Sequence, residues 1–126
     1  MLNWFQSKES GSSGLDFSAI DSQAKAEVLF ANGKLSKLFL MPLEFGGEDY
    51  GMNVVYVPIF AAEMKLSIDT NVIKPLVEQG KIKQYQAAPQ YQGSSFIPNS
   101  IIVTASDPSS FSTVIRIWGN ALHEDQ

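Results

Sequence analysis

The chain of 126 residues predicts an α+β fold, a tandem helix-strand-strand repeat forming a mainly antiparallel sheet of about five strands with two helices on one face. Three observations predict it. The sequence echoes itself at an offset of 47 residues, apolar side chains recur at helical spacing ahead of each echoed glycine, and short extended runs follow it. Residues 28–35 lie over residues 75–82 without a gap, and the echo continues for about thirty residues. The identical pairs are Leu29/Leu76, Gly33/Gly80, Lys34/Lys81, Pro42/Pro89 and Gly46/Gly93. Gly and Pro weigh most among them, because they fix turns and element ends.

The elements follow in order. Residues 1–14 read as an aromatic stub, Leu2, Trp4 and Phe5, on a Gly/Ser linker from Ser7 to Gly14. Residues 15–119 read as one domain, with repeats at 16–58 and 63–105 and a final strand at 112–118. Asp21 is placed to cap a first helix running through Asn32, with Ile20, Ala24, Val28 and Ala31 on one side and Gly33 just past the end. Asn32-Gly33 between apolar runs is also a hairpin signal, which remains the alternative there. A strand from Lys37 to Leu43 and a β-branched one from Asn53 to Val57 follow. Ile59 to Leu66 fits either a short helix or an edge extension.

The second helix spans Asp69 to Gln79, capped by Asp69 or Thr70, with Val72, Ile73, Leu76 and Val77 as its apolar stripe. Pro75 opposes it, since proline lacks a backbone donor and disfavours helix at the preceding residue. Strands from Gln84 to Tyr91, Ile101 to Ala105 and Ser112 to Trp118 complete the sheet, and residues 120–126 form a frayed tail.

Composition narrows the function. The balance of 44% hydrophobic and 17% charged residues is that of a globular protein. A net charge of -4 argues against binding driven by phosphate neutralisation, so no nucleic-acid partner is expected. No apolar run is long enough for a membrane span, and the start does not read as a secretory signal. With no cysteine, thiolate chemistry is absent and the cytoplasm is the expected compartment. The single histidine, His123, stands near the polar C-terminus, and no His/Cys cluster or phosphate-binding glycine motif exists, so no cofactor or metal is expected.

Candidate chemistry is confined to the loop holding Glu44, Glu48 and Asp49, whose carboxylates would serve a cofactor-independent enzyme as general base. Its spacing matches no calcium loop, and a solvated turn between strands is the preferred explanation. Lys34 and Lys81 complement the carbonyls of the preceding helix ends, or else flank an anionic ligand. Arg116 shares a strand face with Val114 and Trp118 as an exposed, stacked side chain. The uncharged stretch from Gln84 to Ser106, carrying Tyr85, Tyr91 and Phe96, has a composition able to stack on sugars or peptide backbone, or simply that of a half-exposed strand pair.

The sharpest signal is an apolar face. If Leu38 and Leu40 meet the helices, then Phe39, Met41 and Leu43 point away from them, joined by Tyr56 of the next strand. Such a patch marks a contact. The leading expectation is a non-enzymatic protein-interaction module that self-associates, or binds another protein, through Phe39, Met41, Leu43 and Tyr56. The rivals are the carboxylate enzyme and a small-ligand-binding domain with a pocket between sheet and helices. The aromatic stub is the last candidate to cover the face.

Overall fold

The computed structural model describes residues 15–123. The stub, the linker through Gly14 and the last three residues of the tail lie outside the described residues. The fold is α+β, but its five strands divide between two antiparallel sheets instead of forming one. Strand β1 (Ser36–Phe39) pairs with β2 (Val54–Val57), while β3 (Gln84–Gln90), β4 (Ser100–Ser106) and β5 (Ser110–Arg116) form the second sheet in that order. What separates the sheets is helix. Pro58 ends β2, and α2 (Ile59–Ile68), a π-helical segment (Asp69–Ile73) and α3 (Lys74–Glu78) follow without interruption. Twenty helical residues, about 30 Å of helix, thus intervene between the last strand of the first sheet and the first strand of the second.

Helix α1 (Gln23–Ala31) begins one residue later than Asp21 implies. Ser22 is the cap, its hydroxyl accepting from the Lys25 N–H, and Asp21 instead holds the Lys25 ammonium at 2.8 Å. The inward side also differs from the expected one. Ala26 is buried and Leu29 half-buried, whereas Ala24, Val28 and Ala31 are exposed. Apolar residues occur on every side of this short helix, so spacing alone does not select the buried one.

Both helical stretches end alike. Gly33 has φ +78° and donates to Phe30 C=O, while Lys34 donates to Leu29 C=O. Gly80 has φ +72° and donates to Val77 C=O, while Lys81 donates to Leu76 C=O. Asn32-Gly33 is therefore a left-handed helix stop and not a hairpin tip. Asp69 and Thr70, expected to cap the second helix, lie inside it, and Ile59 to Leu66 is helical. The π-helical segment ends with Lys74 donating to Asp69 C=O, one residue ahead of Pro75. A wider turn there accommodates a proline that would interrupt a regular α-helix.

Strand β1 stops at Phe39, short of the expected Leu43, because Pro42 opens a 3₁₀ turn over Leu43–Phe45. One core cluster joins Leu38, Val55 and Val57 of the first sheet to Ile101, Val103 and Ile115 of the second, with Ala26 and Ala61 from the helices. Trp118 closes it, its indole N–H donating to Ile97 C=O at 3.1 Å. Residues 119–123 form a 3₁₀ turn in which Ala121 is buried and the Asn120 N–H donates to Gln92 Oε1 at 2.7 Å. Helical side chains reach both faces of the first sheet: Ala61 joins its inner side, and Phe30 lies 5.1 Å from Tyr56 on the other.

Candidate functional site

Beside β1 lies a cleft of about 480 Å³. One wall is β1 itself, Ser36 to Phe39, continued by Pro42, Leu43 and Glu44 of the 3₁₀ turn. The other wall is helical, with Ala62, Glu63 and Leu66 of α2 followed by Asp69 and Thr70. Apolar groups stand at its mouth on both sides: Leu43 is 47% exposed and Leu66 65%. Exposed leucines facing each other across a concave surface are what an apolar binding site requires.

The four residues of the expected apolar face part company. Phe39 and Leu43 line the cleft. Met41 is held elsewhere by its backbone, its N–H donating to Asn53 Oδ1 at 2.7 Å and its C=O accepting from Asn53 Nδ2 at 3.0 Å. Tyr56 stacks on Phe30, and the Lys37 ammonium approaches the same Phe30 ring at 5.6 Å.

The three loop carboxylates are likewise distributed over separate partners. Glu44 lines the cleft and faces the Lys74 ammonium at 3.6 Å. Asp49 holds the Lys37 ammonium at 2.9 Å, and that hydrogen bond pushes the Lys37 pKa up. Glu48 accepts from Tyr50, whose phenol is raised by that bond, while the Glu48 C=O accepts from Asn53 Nδ2.

A polar cluster that the sequence reading does not single out borders the cleft. Lys65 and Asp69 are only 2% and 5% exposed, and both line it. The Lys65 ammonium donates to Asp69 Oδ2 at 2.5 Å and to the Tyr85 hydroxyl at 2.9 Å, and the Tyr85 hydroxyl donates to Asp69 Oδ1 at 2.6 Å. Each member is thereby hydrogen-bonded to both of the others, which offsets the cost of burying such a network. Burial pushes the Lys65 ammonium down and the Tyr85 phenol up; the Asp69 carboxylate opposes the first shift and adds to the second. The available signal was the four-residue spacing of Lys65 and Asp69, which becomes a contact only if residues 59–73 are one helix.

A second depression, about 410 Å³, lies over the second sheet among Gln90, Tyr91, Asn99, Ser100, Ile102, Val114 and Arg116. Asn99 Oδ1 is buried there without a hydrogen-bond donor among the described residues. Among the described residues no group of three or more His, Cys, Asp or Glu side chains is placed to hold a metal, and no helix is long and apolar enough to cross a membrane.

No family model, no curated protein and no solved structure matches the chain.

Proposed function

We propose that this protein is a non-enzymatic interaction module whose binding site is the cleft between β1 and α2. One observation carries the reading: Phe39 and Leu43 on one wall oppose Ala62 and Leu66 on the other, and both leucines at the mouth are open to solvent. Burying that surface supplies about 25 cal/mol per Å² of apolar area, without any reacting group. Support over the carboxylate enzyme comes from Glu44, Glu48 and Asp49, each engaged by a different neighbour. The Lys65–Asp69–Tyr85 cluster then serves as a rigid polar border that fixes the helical wall against the second sheet.

The test is an amide-resolved NMR titration of the full chain with a mixture of small apolar fragments. Shifts should concentrate at Phe39, Leu43, Ala62 and Leu66, and Leu66→Glu, at an exposed position, should remove them without unfolding the protein. Shifts confined to other surfaces, or none, would sink the reading.

Self-association is the second reading, favoured by a specific observation. Ile59 and Leu66 stand exposed two turns apart on the side of α2 that borders the cleft, an apolar stripe that a second copy would bury.

An internal duplication also belongs to this proposal. Its support is the matching pair of helix stops at the 47-residue offset. The gapless alignment does not extend through the sheets. Phe39 pairs with Val54, so its image would pair Gln86 with Ile101, whereas Pro89 holds that place. The duplicated unit is therefore the helix end with the strand after it, and the return strands differ in register by three residues.

A further inference from the structure

We infer that the cleft takes an extended peptide segment of a partner protein, which adds to β1 as an antiparallel or parallel strand and places a basic side chain over Glu63. The inference rests on the cleft being the binding site and names its occupant. All four residues of β1 line the cleft in succession. Side chains of a strand alternate between faces, so a cavity over one face meets every second residue, and a run of consecutive lining residues points to the backbone edge. The hydrogen-bond parity agrees. Leu40 donates to Asn53 C=O, continuing the β1–β2 register, so Leu38 and Ser36 are the residues whose backbone groups face β2. The N–H and C=O groups of Lys37 and Phe39 then face the opposite, open edge, where β1 has no neighbouring strand among the described residues. Two donors and two acceptors border an apolar groove, which is the arrangement that strand addition uses.

The helical wall selects the kind of occupant. A second copy offering its own β1 would bring β2 and the rest of its fold with it, whereas the space between β1 and α2 is only about 480 Å³. A single strand spaced 4.7–4.9 Å from its neighbour fits such a slot better than the edge of a folded sheet. Charge decides the chemistry of the segment. Among the lining charges, Lys37 is held by Asp49, Glu44 by Lys74, and Lys65 by Asp69. Glu63 is exposed and has no ion-pair partner among the described residues, so it is the charge left for a ligand cation. The segment is accordingly one of alternating apolar residues with a Lys or Arg.

A displayed library of random decapeptides panned on the full chain tests this. Enriched sequences should alternate apolar residues and carry a basic residue. A synthetic copy of the best one should slow hydrogen exchange at the Lys37 and Phe39 amides at least tenfold, and Leu66→Glu should weaken it at least tenfold. Replacing its basic residue by Ala should weaken binding to the wild type several-fold but leave binding to Glu63→Gln nearly unchanged. Methylating the peptide's backbone nitrogens should abolish binding.

Peptides that bind the cleft while those two amides exchange freely, or that bind equally well when methylated, would overturn strand addition and leave the cleft reading intact. The same holds if no peptide is enriched although apolar fragments still shift the cleft amides. If the amides are protected without peptide, and lose protection in full-length Trp4→Ser/Phe5→Ser or on dilution, the occupant is the chain's own N-terminal segment or a second copy, and the partner peptide is rejected.

Discussion

Lys65 is buried on an α-helix that offers Asp69 one turn later, and the pair meets Tyr85 from the second sheet to close a three-membered network. Removing one member leaves the others uncompensated, so Lys65→Met should cost about 3–5 kcal/mol in denaturant unfolding. The double replacement Lys65→Met with Asp69→Leu should recover most of that loss, since no orphaned charge remains. If the double variant is as unstable as the single one, the cost lies in packing and not in the stranded carboxylate. Tyr85 adds a pH signature. Its phenol is raised in the folded protein, whereas in the unfolded chain it ionises near pH 10. Above that pH the unfolded state binds fewer protons, and stability should fall by up to about 1.4 kcal/mol per pH unit from this group. The lowered Lys65 acts in the other direction: the folded state releases its proton first, so that contribution rises as pH approaches the unfolded lysine value near 10.5. Comparing wild type with Tyr85→Phe isolates the tyrosine. The variant should begin less stable, having lost two hydrogen bonds, yet decline less steeply above pH 10.

At the scale of elements, local punctuation was legible and long-range pairing was not. The helix stops at Gly33 and Gly80 could be read because a left-handed position after a helix selects glycine, and the matching residues at one offset reinforced each other. No atom lies within 4 Å of where a Cβ would stand at either glycine, so backbone conformation alone sets the cost of adding one. Gly33→Ala and Gly80→Ala should therefore each destabilise by about 1 kcal/mol, and by similar amounts, in thermal unfolding. A much larger loss at one of them would mean that the two stops are not equivalent. The start of the second helix was misplaced for a physical reason as well. Asp69 resembles a cap in sequence, and only the ammonium of Lys65 and the hydroxyl of Tyr85, drawn from outside the expected helix, allow it to be buried inside one. The proline expected to weaken this helix follows a π-helical segment, a local solution that apolar spacing does not encode.

For the whole molecule, the division into two sheets decides what the apolar residues of β1 can do. In a single five-stranded sheet, Phe39, Met41, Leu43 and Tyr56 would share one broad face; here Phe30 reaches Tyr56 and Asn53 holds the Met41 backbone. Only Phe39 and Leu43 remain to line a concave surface, so half of the expected site residues meet at the cleft because β1 is short and its turn folds back beside α2. The helical wall was not legible, since residues 59–66 carried two readings and Leu66 had no assigned direction. The acidic loop follows the same logic. Its carboxylates answer to Lys74, Lys37 and Tyr50 instead of converging, so calorimetric titration with calcium or magnesium should give no dissociation constant in the micromolar range; one that is lost in Glu48→Gln would restore the metal or enzyme reading. Self-association gives the remaining molecular-scale prediction. If copies meet through the exposed α2 surface, sedimentation of the full chain should show a concentration-dependent dimer that Ile59→Lys disrupts, while apolar fragments still shift the cleft amides, because Ile59 does not line the cleft. A dimer indifferent to Ile59→Lys but broken by Leu66→Glu would instead place the second copy in the cleft, and a monomer at all concentrations would leave the cleft without a second copy as its occupant.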